Sequence, residues 1–404
     1  MTSSSRSPHV VTMLLAVSVT VMGVLPAFLV GALAVQVRDD LGIGPAGIGA
    51  ASATLFAVTG LLARPLGLVV QRIGSGRGLA TAALLSAVSL AGVGLARSFA
   101  VLLGALVVGG AGNAMAQPAA NLSISRAIGP GRLGLAFGVK QSSIPAATLL
   151  GGLSVPGIAL VFGWRWALAA AAVVALGIAA WGALSGRGPG VRTAAAGDEV
   201  DRGLPRGGLL VLTVGVGLAA AGSTSLGVFL VDSGVRAGLA PGSSGLLFAL
   251  CSLLGLTGRI GLGWIVDRHP GRSPYVLIAN LLTCGAAGYL LLGTGSTVLF
   301  VVGALFAYGA GWTWPGLFHF AIVRDNRLAA ASATGFVQTG LSLGAAGGPL
   351  AFGVLAETMS YGTAWLGTAV LALAGAATIR TGRRMVRRSR GLPVTDVLHR
   401  RGAR

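Results

Sequence analysis

Apolar stretches long enough to cross a bilayer as helices recur twelve times along the chain. They lie at approximately 10–35, 46–70, 78–95, 99–123, 134–160, 166–185, 207–231, 243–266, 274–293, 297–322, 330–356 and 362–380. A hydrocarbon core of ~30 Å takes roughly 20 helical residues, and inside it every backbone N–H and C=O must find a partner within the protein. Helices meet that demand segment by segment, so the sequence predicts an all-α membrane protein with 12 transmembrane helices. Composition agrees: 54% of residues are hydrophobic and 10% charged, and the mean hydropathy is +0.84, a combination foreign to soluble domains. The first stretch follows a short polar N-terminus as a signal peptide would. Its length exceeds the roughly 7–15 apolar residues of such signals and eleven more stretches follow, so it is expected to be a retained helix.

A formal net charge of +19 raises the question of nucleic acid, which the placement of the charge answers. With a cytoplasmic N-terminus, 22 of the 29 Lys and Arg residues fall in cytoplasmic loops, the linker and the tail, and only Arg38, Arg97, Arg165 and Arg236 fall outside. This is the positive-inside bias of an inner (plasma) membrane protein with both termini cytoplasmic, and it argues against a nucleic-acid partner. The basic tail is expected to rest on anionic lipid headgroups. Cys251 and Cys284 both lie within predicted spans, where a thiol behaves as a small apolar group, and their spacing implies neither a disulfide framework nor a metal site.

The chain repeats once. A shift of 196 to 197 residues lays GGAGNAMAQPAA (109–120) on FAYGAGWTWPGL (306–317), FGVKQSS (137–143) on TGFVQTG (334–340) and GIGPAGIG (42–49) on GLAPGSSG (238–245). Pro118 then falls on Pro315 and Gln141 on Gln338. A parallel repeat of six spans predicts two pseudo-symmetric six-helix bundles: residues 1–186, a Gly- and Pro-rich cytoplasmic linker at 187–206, residues 207–380, and a basic tail at 381–404.

GWIVDRHPGR (263–272), between the eighth and ninth spans, resembles the Gly-x-x-x-Asp-Arg-x-x-Gly-Arg loop of the major facilitator superfamily. GLVVQRIGSGR (67–77), between the second and third, is similar to the same signature with Gln71 in the acidic position. The resemblance implies a transporter fold in which the loop aspartate caps a neighbouring helix end and pairs with a cytoplasmic arginine. Asp267 and Arg324 are matched to those roles, with Arg268, Gln71 and Arg72 in the same conformational group.

Within the spans stand Arg64, Lys140 and Arg259, with no carboxylate deeper than the helix ends. Each lies eight residues from a cytoplasmic marker (Arg72, Arg132 and Asp267 respectively), hence roughly 12 Å inside the end of its helix. Two readings are open: a long side chain that snorkels to the headgroups, or a cation facing a central cavity that awaits an anion. TGRIGLG (257–263) resembles the eighth-span arginine of monocarboxylate and organic-anion carriers, which implies that Arg259 meets substrate; Gly255 stands where those carriers often hold an aspartate. Asn113, Gln117 and Asn121 share one face of the fourth span by their i, i+4, i+8 spacing. Trp312 and His319 share a face around Pro315, and Gln338 and Ser342 lie one turn apart in the eleventh span. Each of these sets fits helix–helix packing as well as ligand contact.

The expectation is a secondary transporter that moves a small organic anion by alternating access, bound by Lys140 and Arg259 with Gln141, Asn113, Gln117, Asn121, Trp312 and Gln338 around it. It needs no cofactor or metal and is expected to work as a monomer. The alternative within the same fold is an exporter of lipophilic compounds. An intramembrane enzyme is disfavoured because no His-rich cluster, nucleophile motif or carboxylate pair occurs in the spans, and no phosphate-binding Gly-x-x-x-x-Gly-Lys-Ser/Thr loop is present.

Overall fold

Pro8, Pro45, Pro241, Pro274 and Pro315 each open a helix, the one place where a missing N–H costs no intrahelical bond. These helices belong to a computed structural model that describes residues 8–127, 133–185, 206–269, 273–326 and 330–389. All regular structure among the described residues is helical. The first six crossings are α1 (Pro8–Ala32), prolonged by α2 (Ala34–Leu41), α3 (Pro45–Ile73), α4 (Ser75–Gly94), α5 (Phe99–Ala127), the composite α6 (Leu133–Gln141), α7 (Ser143–Ser154) and α8 (Leu160–Phe162), and α9 (Trp164–Ser185). The last six are α10 (Arg206–Arg236), α11 (Pro241–Arg268), α12 (Pro274–Leu292), the pair α13 (Thr297–Gly309) and α14 (Pro315–Asp325), α15 (Ala330–Thr358) and α16 (Tyr361–Ser389).

Three spans differ from the sequence expectation, the first being the fifth, expected as one piece over 134–160 and found as the composite just described. The span expected as one piece over 297–322 is broken at Ala310–Trp314, because Pro315 denies the Gly311 carbonyl its i+4 donor. Among the described residues eleven crossings are long and apolar enough to span a membrane as one run, the fifth of them (Gly138–Phe162) passing through the interruption at Ser142, and the remaining crossing is made by two separate helices. The last helix runs on to Ser389 instead of ending at 380, so the first basic residues of the expected tail are helical. The expected linker, apart from Arg206 at the start of α10, and the tail from 390 onward lie outside the described residues.

Packing shows which way the two bundles lean. One apolar core runs through both, joining Phe28 and Leu33 of α1 and Ile48 of α3 to Phe229 of α10, Phe248 of α11 and Phe352 of α15. On the side of the termini the core divides. Leu15, Val19, Val70, Leu79 and Ile124 form a cluster wholly of the first bundle, and Leu209, Leu212, Tyr275, Phe318 and Ile379 one wholly of the second. At the opposite face close backbone approach seals the seam. A Cβ on Gly31 would stand 2.7 Å from the Val228 carbonyl oxygen, and one on Gly152 2.6 Å from that of Gly245, so neither position tolerates a side chain. The apolar core is thus continuous at the face remote from the termini and split by bundle toward the face that carries them, where α6 and α11 still touch: a Cβ on Gly138 would stand 2.8 Å from the Arg259 carbonyl oxygen.

Polar groups reinforce the closed face. Arg38 of α2 donates from Nη1 to both carboxylate oxygens of Asp232 on α10 at 3.0 Å, and the Tyr361 hydroxyl of α16 donates to the same group. Arg236 approaches that carboxylate at 3.8 Å. The Ala46 N–H, in the first turn of α3, donates to Glu357 Oε2 of α15 at 2.8 Å, a cap supplied from the other bundle.

Candidate functional site

Two prolines create the site by interrupting helices in facing bundles. Pro145 sits four residues after Gln141 and removes the donor that the Gln141 carbonyl would otherwise use, so α6 ends there. Pro315 does the same to Gly311, whose carbonyl accepts from Ser223 Oγ at 3.3 Å instead. Arg259, 2% exposed, lies between the two breaks: its Nε and Nη2 donate to the Trp312 carbonyl at 3.0 and 2.7 Å, and its Nη1 to the Gln141 carbonyl. The guanidinium therefore closes two carbonyl ends of interrupted helix, one from each bundle, whose partial negative charge offsets its own.

Lys140 is placed differently. It is 3% exposed, and its ammonium donates to Gln117 Oε1 at 2.7 Å. Gln117 Nε2 donates to Asn113 Oδ1 at 3.4 Å, Asn113 Nδ2 to Thr59 Oγ1 at 3.1 Å, and Thr59 Oγ1 to the Leu55 carbonyl at 2.8 Å. Each link donates away from the lysine, so the chain is polarised by the ammonium and ends on backbone. An ammonium offers three donors; among the described residues one is used by a side chain, and no carboxylate lies within ion-pair distance.

Asn113, Gln117, Gln141, Trp312 and Gln338 line one central cavity, with Lys140 and Arg259 directly behind its wall. His319 joins them, its Nδ1 3.0 Å from Gln141 Nε2 and 2.8 Å from the Pro315 carbonyl oxygen, and Gln338 lies within hydrogen-bond reach of the same ring. Asn121 is exposed and does not line the cavity; two turns beyond Asn113 it has left the space where the bundles meet. Arg64 is also exposed, away from this wall. Sequence reading missed Phe28, Phe56, Thr59, Thr224 and Trp314, which also line the cavity. An aromatic or a threonine in an apolar run carries no signal of which way it faces.

The sequence profile of the Major Facilitator Superfamily matches residues 11–327. The chain belongs to this superfamily. Two solved structures of a bacterial homologue of the human lysosomal transporter Spinster, both inward-facing, one unoccupied and one occupied, align with this facilitator at TM-scores of 0.68 and 0.67. Identity is 17% and 16%, and the alignments cover 95% and 97% of this chain and 97% and 99% of theirs; at that identity the likeness concerns the fold. A comparison with curated protein sequences returns no match. As a facilitator, the chain is a multi-pass membrane protein and a secondary transporter of a small molecule, working by alternating access.

The facilitator signature loop takes a form the sequence expectation caught in part. Asp267 Oδ2 accepts the Leu135 N–H at 2.9 Å, capping the first turn of α6 across the two bundles. Arg324, expected as the partner of Asp267, here donates from Nε to its neighbour Asp325 at 3.1 Å, an acid on the same helix end. Arg268 lies 3.9 Å over the Trp264 ring, and Gln71 and Arg72 are exposed at the end of α3.

Proposed function

We propose that the solute is a small organic anion and that Lys140 is its principal charge partner. The observation that carries this reading is the burial of an ammonium with one amide oxygen for company. A cation withdrawn from water costs several kcal/mol unless a counter-charge and full hydrogen bonding repay it, and a bound anion supplies both. Arg259 keeps a part in the reading as the group that holds Gln141 and Trp312 in place, with three of its five N–H donors on their two carbonyls. The amides of Asn113, Gln117, Gln141 and Gln338 offer N–H donors to a carboxylate, which only accepts. Export of lipophilic cations is the weaker reading, because no Asp or Glu lines the cavity among the described residues.

A thermal-shift panel on the purified protein tests the class. Small carboxylates should stabilise the fold by RT ln(1 + [L]/Kd) and so raise the melting temperature with concentration, whereas chloride, sulfate and lipophilic cations should not. Stabilisation by the cations alone would overturn the anionic reading.

The arginine distribution further supports cytoplasmic termini in the plasma membrane, which makes the split face the cytoplasmic one. In a Cys284→Ala background, Arg97→Cys should react with an impermeant thiol reagent in intact cells and Gly188→Cys should not. The reverse pattern would invert the topology.

A further inference from the structure

The cavity has two chemically distinct poles, and together they specify more than an anion. At one stand the amides of Asn113, Gln117 and Gln141 with the Lys140 ammonium behind them. At the other stand three rings drawn from both bundles. Phe28 meets Trp312 edge-on with centroids 5.6 Å apart and an interplanar angle of 62°, and meets Phe56 at 5.9 Å and 59°. Behind Trp312, Tyr308 packs at 5.0 Å and 60°, so the indole is held by rings on two sides and by Arg259 through its own carbonyl. Rings joined edge to face present alternating π faces and C–H edges, a surface that a further ring continues and a polar body does not.

We propose that the transported solute is an aromatic monoanion, its carboxylate at the Lys140 pole and its ring against Phe28, Phe56 and Trp312. The proposal rests on the anionic reading above and adds the ring. One charge is specified because the opposite pole is formed by Phe28, Phe56 and Trp312, where a second carboxylate would meet apolar side chains. Because Phe28 and Phe56 belong to the first bundle and Trp312 to the second, a ring held among them bridges the two bodies whose relative motion is transport.

Calorimetric titration of purified wild type, Trp312→Ala and Phe28→Leu with benzoate, acetate and benzamide tests this. Benzoate should bind wild type at least about tenfold more tightly than acetate, since a buried ring brings both area and edge-to-face contacts. Trp312→Ala should abolish most of that ratio, benzoate losing far more affinity than acetate. Phe28→Leu, which keeps apolar volume and is the gentler change, should reduce the ratio in the same direction. Benzamide should bind at least about tenfold more weakly than benzoate. Acetate equal to benzoate in wild type, or a loss shared equally by both anions in the two variants, overturns the aromatic half alone. Benzamide equal to benzoate, or no binding of either anion, overturns the anionic reading beneath it.

Discussion

Lys140→Gln should weaken binding of any carboxylate that stabilises the wild type by about tenfold to a hundredfold. A charge-assisted contact formed away from bulk water is worth roughly 1.5–3 kcal/mol, and ~1.4 kcal/mol is a factor of ten. Glutamine keeps a donor for the Gln117 oxygen, so the amide chain through Asn113 and Thr59 survives and the loss reports the charge. Lys140→Arg keeps the charge but replaces a compact ammonium with a planar fork in a site built around one amide oxygen, and should restore only part of the affinity. The ligand-free protein should respond in the opposite sense: removing a buried cation that lacks a counter-charge should leave the melting temperature unchanged or higher. Calorimetric titration and melting curves of the three proteins check this. An unchanged dissociation constant in the glutamine variant would remove Lys140 from the binding site.

The second large effect is expected at the closed face. Asp232 has 4% of its side chain exposed and receives Arg38, Tyr361 and Arg236, so it joins three helices across the seam. Asp232→Asn preserves shape but leaves Arg38, 19% exposed, facing a neutral group. Breaking a fully buried pair costs ~3–5 kcal/mol, and this partly exposed one should cost about 2. Since the pair is formed only when this face is closed, the ratio of open to closed conformers should rise about thirtyfold. With Cys251 and Cys284 replaced by alanine, Val228→Cys, 1% exposed and packed against Gly31 across the closed seam, reports the change through its rate of alkylation. That rate should climb in Asp232→Asn and climb no further when Arg38→Gln is added, because both substitutions remove one interaction. An unaltered rate would mean that apolar packing alone holds the face shut.

The two expectations differ in how far the sequence could reach them. Lys140 stood out as the only lysine in the chain and lay within an apolar run, so its oddity was readable without coordinates. Asp232 and Arg38 are 194 positions apart and lie near helix ends, where charges are unremarkable; nothing local marks them as partners. Arg259 illustrates the intermediate case. Its depth was legible, but its acceptors were not, because the Gln141 carbonyl is freed by Pro145 and the Trp312 carbonyl lies in the break before Pro315, both on other helices. Asn113, Gln117 and Asn121 share a helical spacing, yet only the first two reach the cavity, since a face of one helix passes from the central space to the exterior as neighbouring helices diverge.

By itself the sequence determined the all-helical membrane architecture, the internal repeat and the superfamily, because the length of an apolar run, the parity of its flanking charges and the spacing of a loop motif are properties of the chain. The breaks at Pro145 and Pro315 were not among its expectations, and proline alone does not announce them, because Pro26, Pro65, Pro118 and Pro349 stand inside helices that run on through them. Only the tertiary structure decided which carbonyls hold Arg259, which rings face one another across the cavity, and that the closed face is bound through Asp232. Those are contacts between segments far apart in sequence, and the physical reason they escape a linear reading is that burial and charge pairing depend on which helices the bundle brings together.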